Sequence, residues 1–433
     1  MKKIIFSVIL VIAFLIIFIS CVNENNPSNL NIGKENPLDS DKKEITDNSN
    51  NSNEKDLDKV TEDNLDNTTE DPTKDIFLSN IPYDKNIKYT SSINGNLANR
   101  SDVTDDEDYI YYINVKDENK LYKINKNGND NQLVYGDKIE KPQYFNEKLY
   151  FLRHEEIDKD ASGFPIYNTY ICSVDKEGDN YTEITSDSKM DKFLVLDDKI
   201  YYIAYSGPAN DELIYGKYDL FCYDIVFKKK NTIYENIDIS EGVHFNSSLL
   251  LNDGNIYFDV YGEGIIEYNI KTGSTKNILS RDSDYYTTVA IFIVIDNKLI
   301  FECKNDKKPN NKWEVYIKDI KDDNDKLLCI FSEIKHTDML MSININNNYV
   351  FLTYTPFDEI EEEKSKVVFI RMKHNGSEAV KIKEIFRGKI SHLSRGEIYL
   401  VDDKLIFLDR WEDVINNRIK VMDFDGNEMD WDI

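Results

Sequence analysis

Short apolar runs and polar turns alternate along the chain from residue 76 to 433. One element recurs, a polar turn followed by a strand of Tyr, Ile, Leu and Phe. It reads Asp108-Tyr109-Ile110-Tyr111-Tyr112, Lys148-Leu149-Tyr150-Phe151, Lys199-Ile200-Tyr201-Tyr202 and Asn255-Ile256-Tyr257-Phe258. It returns as Lys298-Leu299-Ile300-Phe301, Asn348-Tyr349-Val350-Phe351 and Lys404-Leu405-Ile406-Phe407, so seven copies lie about 40 to 56 residues apart. A second strand follows each copy. Leu121-Tyr122-Lys123-Ile124 leads to Asn127-Gly128, Ile171-Cys172-Ser173-Val174 to Glu177-Gly178, and Val367-Val368-Phe369-Ile370 to Asn375-Gly376. Ile419-Lys420-Val421-Met422 leads in the same way to Asp425-Gly426. Asn-Gly and Asp-Gly at such places predict hairpin turns with positive φ. A third strand, as in Gln132-Leu133-Val134-Tyr135, and a fourth, as in Ile291-Phe292-Ile293-Val294, complete the unit.

Four strands repeated seven times predict an all-β fold, a β-propeller of about seven four-stranded blades. Six or eight blades remain open at the ends. Many of the strands are apolar on both faces, as blades sandwiched between neighbours require. A solenoid would need shorter, more uniform repeats, and a two-sheet sandwich would not repeat. The final unit reaches Asp430-Trp431-Asp432-Ile433 with a short outer strand. The stretch from Asp75-Ile76-Phe77-Leu78 to Ile87-Lys88-Tyr89-Thr90 is expected to add a strand to that last blade, which would remove an exposed sheet edge.

The N-terminus has a different pattern. Met1-Lys2-Lys3 is followed by an apolar run from Ile4 to Ile19, then Ser20 and Cys21. A positive start, an apolar stretch and a small residue before a cleavage point form a secretory signal. The arrangement resembles the bacterial lipoprotein signal, with Phe18 where that family usually carries Leu. The resemblance implies a signal peptide over 1–20, a diacylglyceryl group on the Cys21 thiol, and a chain held at the outer face of the cell membrane. Without processing, the apolar run is nearly long enough to stay as an anchor. Residues 22–75 contain no Phe, Tyr or Trp and carry fifteen acidic and six basic side chains. So little apolar surface cannot offset the entropy of ordering. The expectation is a lipidated Cys and disordered acidic linker over 21–75, with a span of roughly 40 Å, followed by the propeller over 76–433.

Asn94-Gly95-Asn96-Leu97-Ala98-Asn99, then Asp108-Tyr109-Ile110-Tyr111-Tyr112 and Lys120-Leu121-Tyr122-Lys123-Ile124 with Asn127-Gly128, resemble the opening blade of a bacterial propeller family. That family, common in clostridia-type bacteria, is named for its likeness to the propeller of the low-density-lipoprotein receptor-related proteins. It has no assigned activity and so implies no site residues. The receptors' own Tyr-Trp-Thr-Asp motif is absent from this sequence.

Composition narrows the function. A net charge of −27 argues against nucleic acid, which is bound through cationic side chains that displace counterions. Acidity first means solubility; its sharper reading is calcium or a cationic wall partner. Five cysteines are too few for a disulfide scaffold. Cys172, Cys222, Cys303 and Cys329 read as small buried hydrophobes, with a Cys303–Cys329 bridge as the alternative.

Catalytic signatures fail one by one. No two glycines lie four apart, so there is no nucleophile elbow. There is no phosphate-cradling loop and no dinucleotide fingerprint. His154, His244, His336, His374 and His392 fall in different units. Ser173 to Gly178 resembles the Asp-box of sialidases with one residue too many. Asn125 to Asn131 and Asp423 to Asn427 lack the ligand alternation of a calcium loop and read as turns. No cofactor or metal is expected, and no enzyme activity. The leading reading is a non-catalytic surface module that binds or scaffolds an envelope protein or wall component. The alternative is a carbohydrate- or wall-active hydrolase or lyase with two axial carboxylates. Loops over 157–168, 206–218 and 355–366, carrying Phe164, Tyr167, Tyr215 and Phe357, are the candidate binding face. Cys21 is the one residue assigned a role, lipid attachment.

Overall fold

The computed structural model describes residues 94–159, 165–190, 192–206, 216–239, 249–260, 263–280, 288–304, 313–322, 327–332, 334, 339–356, 365–388, 395–410 and 418–433. They form a seven-bladed β-propeller. Blades 1 to 6 span 103–135, 140–188, 192–239, 250–280, 288–331 and 339–388, each a sheet of four antiparallel strands in chain order. Blade 7 (395–423) has three strands among the described residues. The inner strand of blade 7, Arg395–Val401, packs on that of blade 1, Val103–Asp105, and closes the ring.

The recurring Tyr-Ile-Leu-Phe element is the second strand of every blade. Its side chains are buried on both faces: Tyr111 and Tyr112 are adjacent, point to opposite sides, and are both inaccessible. The same holds at Leu149 to Leu152, Ile200 to Tyr202 and Leu299 to Phe301. Neighbouring blades thus pack on one another through apolar clusters, and this explains why the strands do not alternate polar with apolar.

The two ends of the blades are built differently. At one end lie the tight turns, here called the turn face. Asn146-Glu147, Asp253-Gly254 and Asp296-Asn297 join inner to second strands with both residues at positive φ. The glycines of the third-to-outer turns also have positive φ, as expected, but four of them have a second reason to be glycine. A Cβ on Gly178 would lie 1.9 Å from the Val134 carbonyl of the preceding blade. On Gly376 it would meet the Ile330 carbonyl at 2.4 Å, and on Gly426 the Ile382 carbonyl at 2.4 Å. Each turn therefore rests on the outer strand of the blade before it. On Gly128 of blade 1, the atom met is in the Trp431 ring, at 2.7 Å.

That contact defines the seam. Met422 bridges Glu428, the Met429 N–H donates to the Val421 carbonyl (2.8 Å), and the Asp432 N–H donates to the Gly128 carbonyl (3.2 Å). The C-terminal residues thus start a fourth strand on blade 7 and then cross to blade 1, where Trp431 and Ile433 pack against the apolar cluster shared by both blades. The strand expected from 75–90 falls outside the described residues.

The segment Asn94-Gly95-Asn96-Leu97-Ala98, read from the sequence as part of the opening blade, is instead one helical turn (Asn94–Ala98) packed on the inner strands of blades 4, 5, 6 and 7. It occupies the propeller axis. Leu97 and Ala98 join the largest apolar cluster. Its polar residues go inward as well, and they build the site described next.

Candidate functional site

Inner strands of a propeller turn one edge to the axis, where their N–H and C=O groups have no further strand to pair with. Here side chains take that role. Asn96 donates from Nδ2 to the Leu400 carbonyl and accepts at Oδ1 from the Leu400 N–H, both at 2.8 Å. It thereby mimics a paired peptide group. Asn344 Nδ2 donates to the same Asn96 Oδ1 (2.9 Å) and to the Ile398 carbonyl (3.1 Å). Asn99 Nδ2 donates to the carbonyls of Ile343 (2.7 Å) and Ile398 (3.1 Å). Gln143 repeats the device between blades 2 and 3, donating to the Phe193 carbonyl (2.7 Å) and accepting from the Val195 N–H (3.3 Å). Thr104 accepts from the Tyr144 N–H, and Ser342 from the Ile398 N–H. The sequence marks none of them as site residues: Asn96 and Asn99 stand in the stretch that resembles an opening blade, and Thr104, Gln143, Ser342 and Asn344 are amides and hydroxyls in otherwise apolar strands.

The chain leaves the helical turn through Arg100, Ser101 and Asp102, and an ion cluster forms there. Arg100 Nε lies 4.0 Å from Glu397 Oε1. The Tyr399 hydroxyl donates to Asp102 Oδ2 at 3.1 Å. Burial works against the charge on Arg100, but Glu397, Asp102 and Glu140 outweigh it and raise its pKa. Glu140 also resists burial: His154, whose Nε2 is 3.6 Å from its Oε2, together with Lys141 and Arg100, holds it well below the usual carboxylate range. His154 is itself anchored to Thr169 Oγ1 at 3.0 Å. The structure therefore brings three axial acids, Asp102, Glu140 and Glu397, to one guanidinium. Glu140 is ionised at any physiological pH and cannot serve as a proton donor.

Glu302 is the opposite case. It stands in the second strand of blade 5, fully buried, and its Oε2 has no hydrogen-bond partner. Burial alone pushes its pKa up to about 8, so it is a neutral acid at pH 7.

The other candidates are dispersed. His154 is in blade 2 and His374 in blade 6, where His374 Nε2 lies 2.8 Å from the Asn346 carbonyl and burial lowers its pKa. His244, His336 and His392 fall outside the described residues, as do Phe164, Tyr215, Phe357 and Cys21. Tyr167 is exposed and meets His154 edge-on at 6.2 Å between ring centroids; Ile157 is exposed on the paired strand, at the bulge next to Glu156, which pairs with Tyr167. Cys303 and Cys329 are not joined by a disulfide. They sit on the second and outer strands of blade 5, separated by the strand Trp313–Asp319, so the alternative of a bridge is corrected: two strand spacings, about 9.6 Å, exceed what a disulfide spans. Cys172, Cys222 and Cys303 are buried as expected, while Cys329 is exposed.

The Asp-box-like and calcium-like stretches are turns that use up their own carboxylates. Asp175 Oδ1 accepts from the N–H groups of Glu177 and Asp179, and its Oδ2 accepts from Asn180 Nδ2 (2.7 Å). Asp423 does the same with Asp425 and Asn427. Among the described residues no group of His, Cys, Asp and Glu is placed to hold a metal ion, and no helix is long and apolar enough to cross a membrane.

No protein-family model matches the chain, and no curated protein does. Solved structures do. The β-propeller domain of the Trilobed protease from Pyrococcus furiosus is 16% identical, with a TM-score of 0.46 over 80% of this chain and 97% of that one. BamB from Moraxella catarrhalis is 10% identical, with a TM-score of 0.37 over 75% and 82%. The Pyrococcus horikoshii acylaminoacyl peptidase is 14% identical, with a TM-score of 0.43 over 74% of this chain and 49% of its own, so the chain spans about half the length of that peptidase.

Proposed function

We propose that the protein is a lipoprotein, anchored through Cys21 at the outer face of the cell membrane, whose propeller binds or scaffolds an envelope protein or wall component without catalysis. The family resembling the low-density-lipoprotein receptor-related propeller is the proposed kinship. The observation that carries the binding reading is the asymmetry of the two faces. The turn face is closed by short turns whose polar groups satisfy one another. At the opposite end, here called the loop face, the strands Lys148–Lys159, Lys199–Tyr205 and Val350–Thr355 end and the strands that follow them, Pro165–Asp175, Gly216–Asp224 and Ser365–Met372, begin, so the three candidate connections issue from one side, although Ile157 and Tyr167 of the first stand on the strands and not in a loop. Loops carried on a rigid scaffold are where binding residues concentrate. The net charge of −27 favours a partner with cationic groups.

The test is photo-crosslinking in living cells from the whole protein, with the reactive group at Ile157 or at Leu133, an exposed position on the rim of blade 1. A discrete adduct from 157 and none from 133 is expected. Equal labelling from both, or none from 157, sinks the loop-face reading. Cys21→Ser should abolish incorporation of labelled fatty acid.

A second reading is a hydrolase or lyase acting on carbohydrate, and the cluster of Asp102, Glu140 and Glu397 favours it. It ranks second because such chemistry needs a protonated acid opposite a base, and His154, with Lys141 and Arg100, holds Glu140 ionised.

A further inference from the structure

Among the third-to-outer turns that are described in full, all are polar at their tips except that of blade 3. Asn127-Gly128, Glu177-Gly178, Thr272-Gly273, Asn375-Gly376 and Asp425-Gly426 mark those of blades 1, 2, 4, 6 and 7. In blade 3 the turn reads Asp224-Ile225-Val226-Phe227-Lys228-Lys229-Lys230. Phe227 is 78% exposed, the most of any large apolar side chain described, and Val226 is 66% exposed. They are held there. Asp224 Oδ1 accepts from the N–H groups of both Val226 (3.0 Å) and Phe227 (2.8 Å), and the Ile225 N–H donates to the Asp198 carbonyl (2.8 Å). Lys228, at φ 52°, turns the chain beside them. Lys228 and Lys229 are exposed at the tip, whereas Lys230 is tied to Asp187 at 2.5 Å.

A rigid pair of apolar side chains flanked by lysines is an odd feature in a chain of net charge −27. A second copy of the chain does not fit it, because two side chains cover far less than the roughly 1,000 Å² a stable interface needs. A lipid surface does fit: apolar groups sink below the headgroups and lysines meet anionic lipid. The position agrees. The tip is on the turn face, and the chain enters the axis at that same end, where Asn96 pairs with Leu400 and Asn344, one or two residues from the turns that follow.

We propose that Val226 and Phe227, with Lys228 and Lys229, form a second membrane contact that dips into the headgroup layer of an anionic bilayer and turns the loop face outward. This rests on the lipid-anchor reading, and the experiment separates the two. The whole chain carrying Phe227→Trp is combined with vesicles of phosphatidylglycerol and phosphatidylcholine, with and without brominated acyl chains. Flotation scores the anchor; quenching of the added indole, taken against the parent protein with its own tryptophans, scores the tip. At least twofold quenching of the added emission is expected. It should be lost in vesicles of phosphatidylcholine alone and in the Lys228→Glu, Lys229→Glu variant. A chain that floats but shows no more quenching than the parent overturns the tip contact. A chain that fails to float overturns the anchor, and quenching at saturating lipid then still decides the tip. A protein adduct at 227 in cells without quenching would reassign the tip to a protein partner.

Discussion

The two halves of each blade solve the burial of charge in opposite ways. Towards the turn face the buried charges are lysines, and each reaches a partner: Lys298 meets Asp319, Lys123 meets Glu177, and Lys318 donates to the Ile278 carbonyl at 2.8 Å. Long stems let an ammonium group leave an apolar wall for the nearest acceptor. Towards the loop face the buried charges are mainly carboxylates on short stems. Asp102 and Glu397 share Arg100, and Glu302 is kept neutral instead. The turn half thus pairs its buried ammonium groups with acceptors. The loop half retains electrostatic strain of the kind that marks functional regions.

The largest test of that contrast is titration of Glu302. Folded, it keeps its proton to about pH 8; unfolded, it releases it near 4.5. Between these values the folded state holds a proton the unfolded chain lacks, so stability falls as pH rises from 4.5 through 8 and then levels off. The contribution is fully present below 4.5. At its steepest the slope is about 1.4 kcal/mol per pH unit. Glu302→Gln should flatten it, and denaturant melts from pH 5 to 9 measure both. Equal slopes in the two proteins would mean that Glu302 is solvated and that the halves do not differ as argued.

Next in size is the axial staple. Asn96→Leu leaves the Leu400 N–H and C=O unmet and strips Asn344 of an acceptor. At about 1–3 kcal/mol for each stranded buried group, a loss of about 4 kcal/mol is expected in a denaturant melt. A loss under 1 kcal/mol would mean that the axis is wet and the helical turn merely rests there.

On the turn face, Gly178→Ala should cost about 3 kcal/mol, combining positive φ with a Cβ placed 1.9 Å from a backbone carbonyl. Gly254→Ala is its control: φ is +74° there, but nothing lies within 4 Å, so about 1 kcal/mol is expected. Equal losses would show that the turns do not bear on neighbouring blades.

The repeat unit was legible because it is local. Tyr111-Tyr112 and Leu299-Ile300-Phe301 announce a strand buried on both sides, and seven such strands imply blades. Asn-Gly and Asp-Gly turns were legible for the same reason. What escaped the sequence depends on closing the ring. Asn96 and Asn99 look like loop residues until one knows that inner strands offer unpaired edges to the axis. Trp431 looks like the end of a strand, yet it lies on the first blade. Arg100, Glu140 and Glu397 are 40 to 297 positions apart in sequence, and no local pattern links them. Gly178 was read correctly as a turn glycine, but the Val134 carbonyl that forbids any side chain belongs to another blade.

The smallest effect on stability should be the most informative about function. Ile157 is 60% exposed and Tyr167 is 41% exposed. Side chains that give up so little water contact on folding contribute little, so Ile157→Asp with Tyr167→Asp should move the melt by less than about 0.5 kcal/mol. If the loop face is the binding face, the same pair should cut partner capture at least tenfold, because apolar and aromatic side chains anchor interfaces and a carboxylate in their place would have to be desolvated on binding. Val226→Asp with Phe227→Asp, at the turn face, should leave that capture unchanged in solution. A protein that melts normally and captures its partner equally in both variants would show that neither tip carries the interaction. The rims of the outer strands, where Leu133 and Phe386 are exposed, would then become the surface to map.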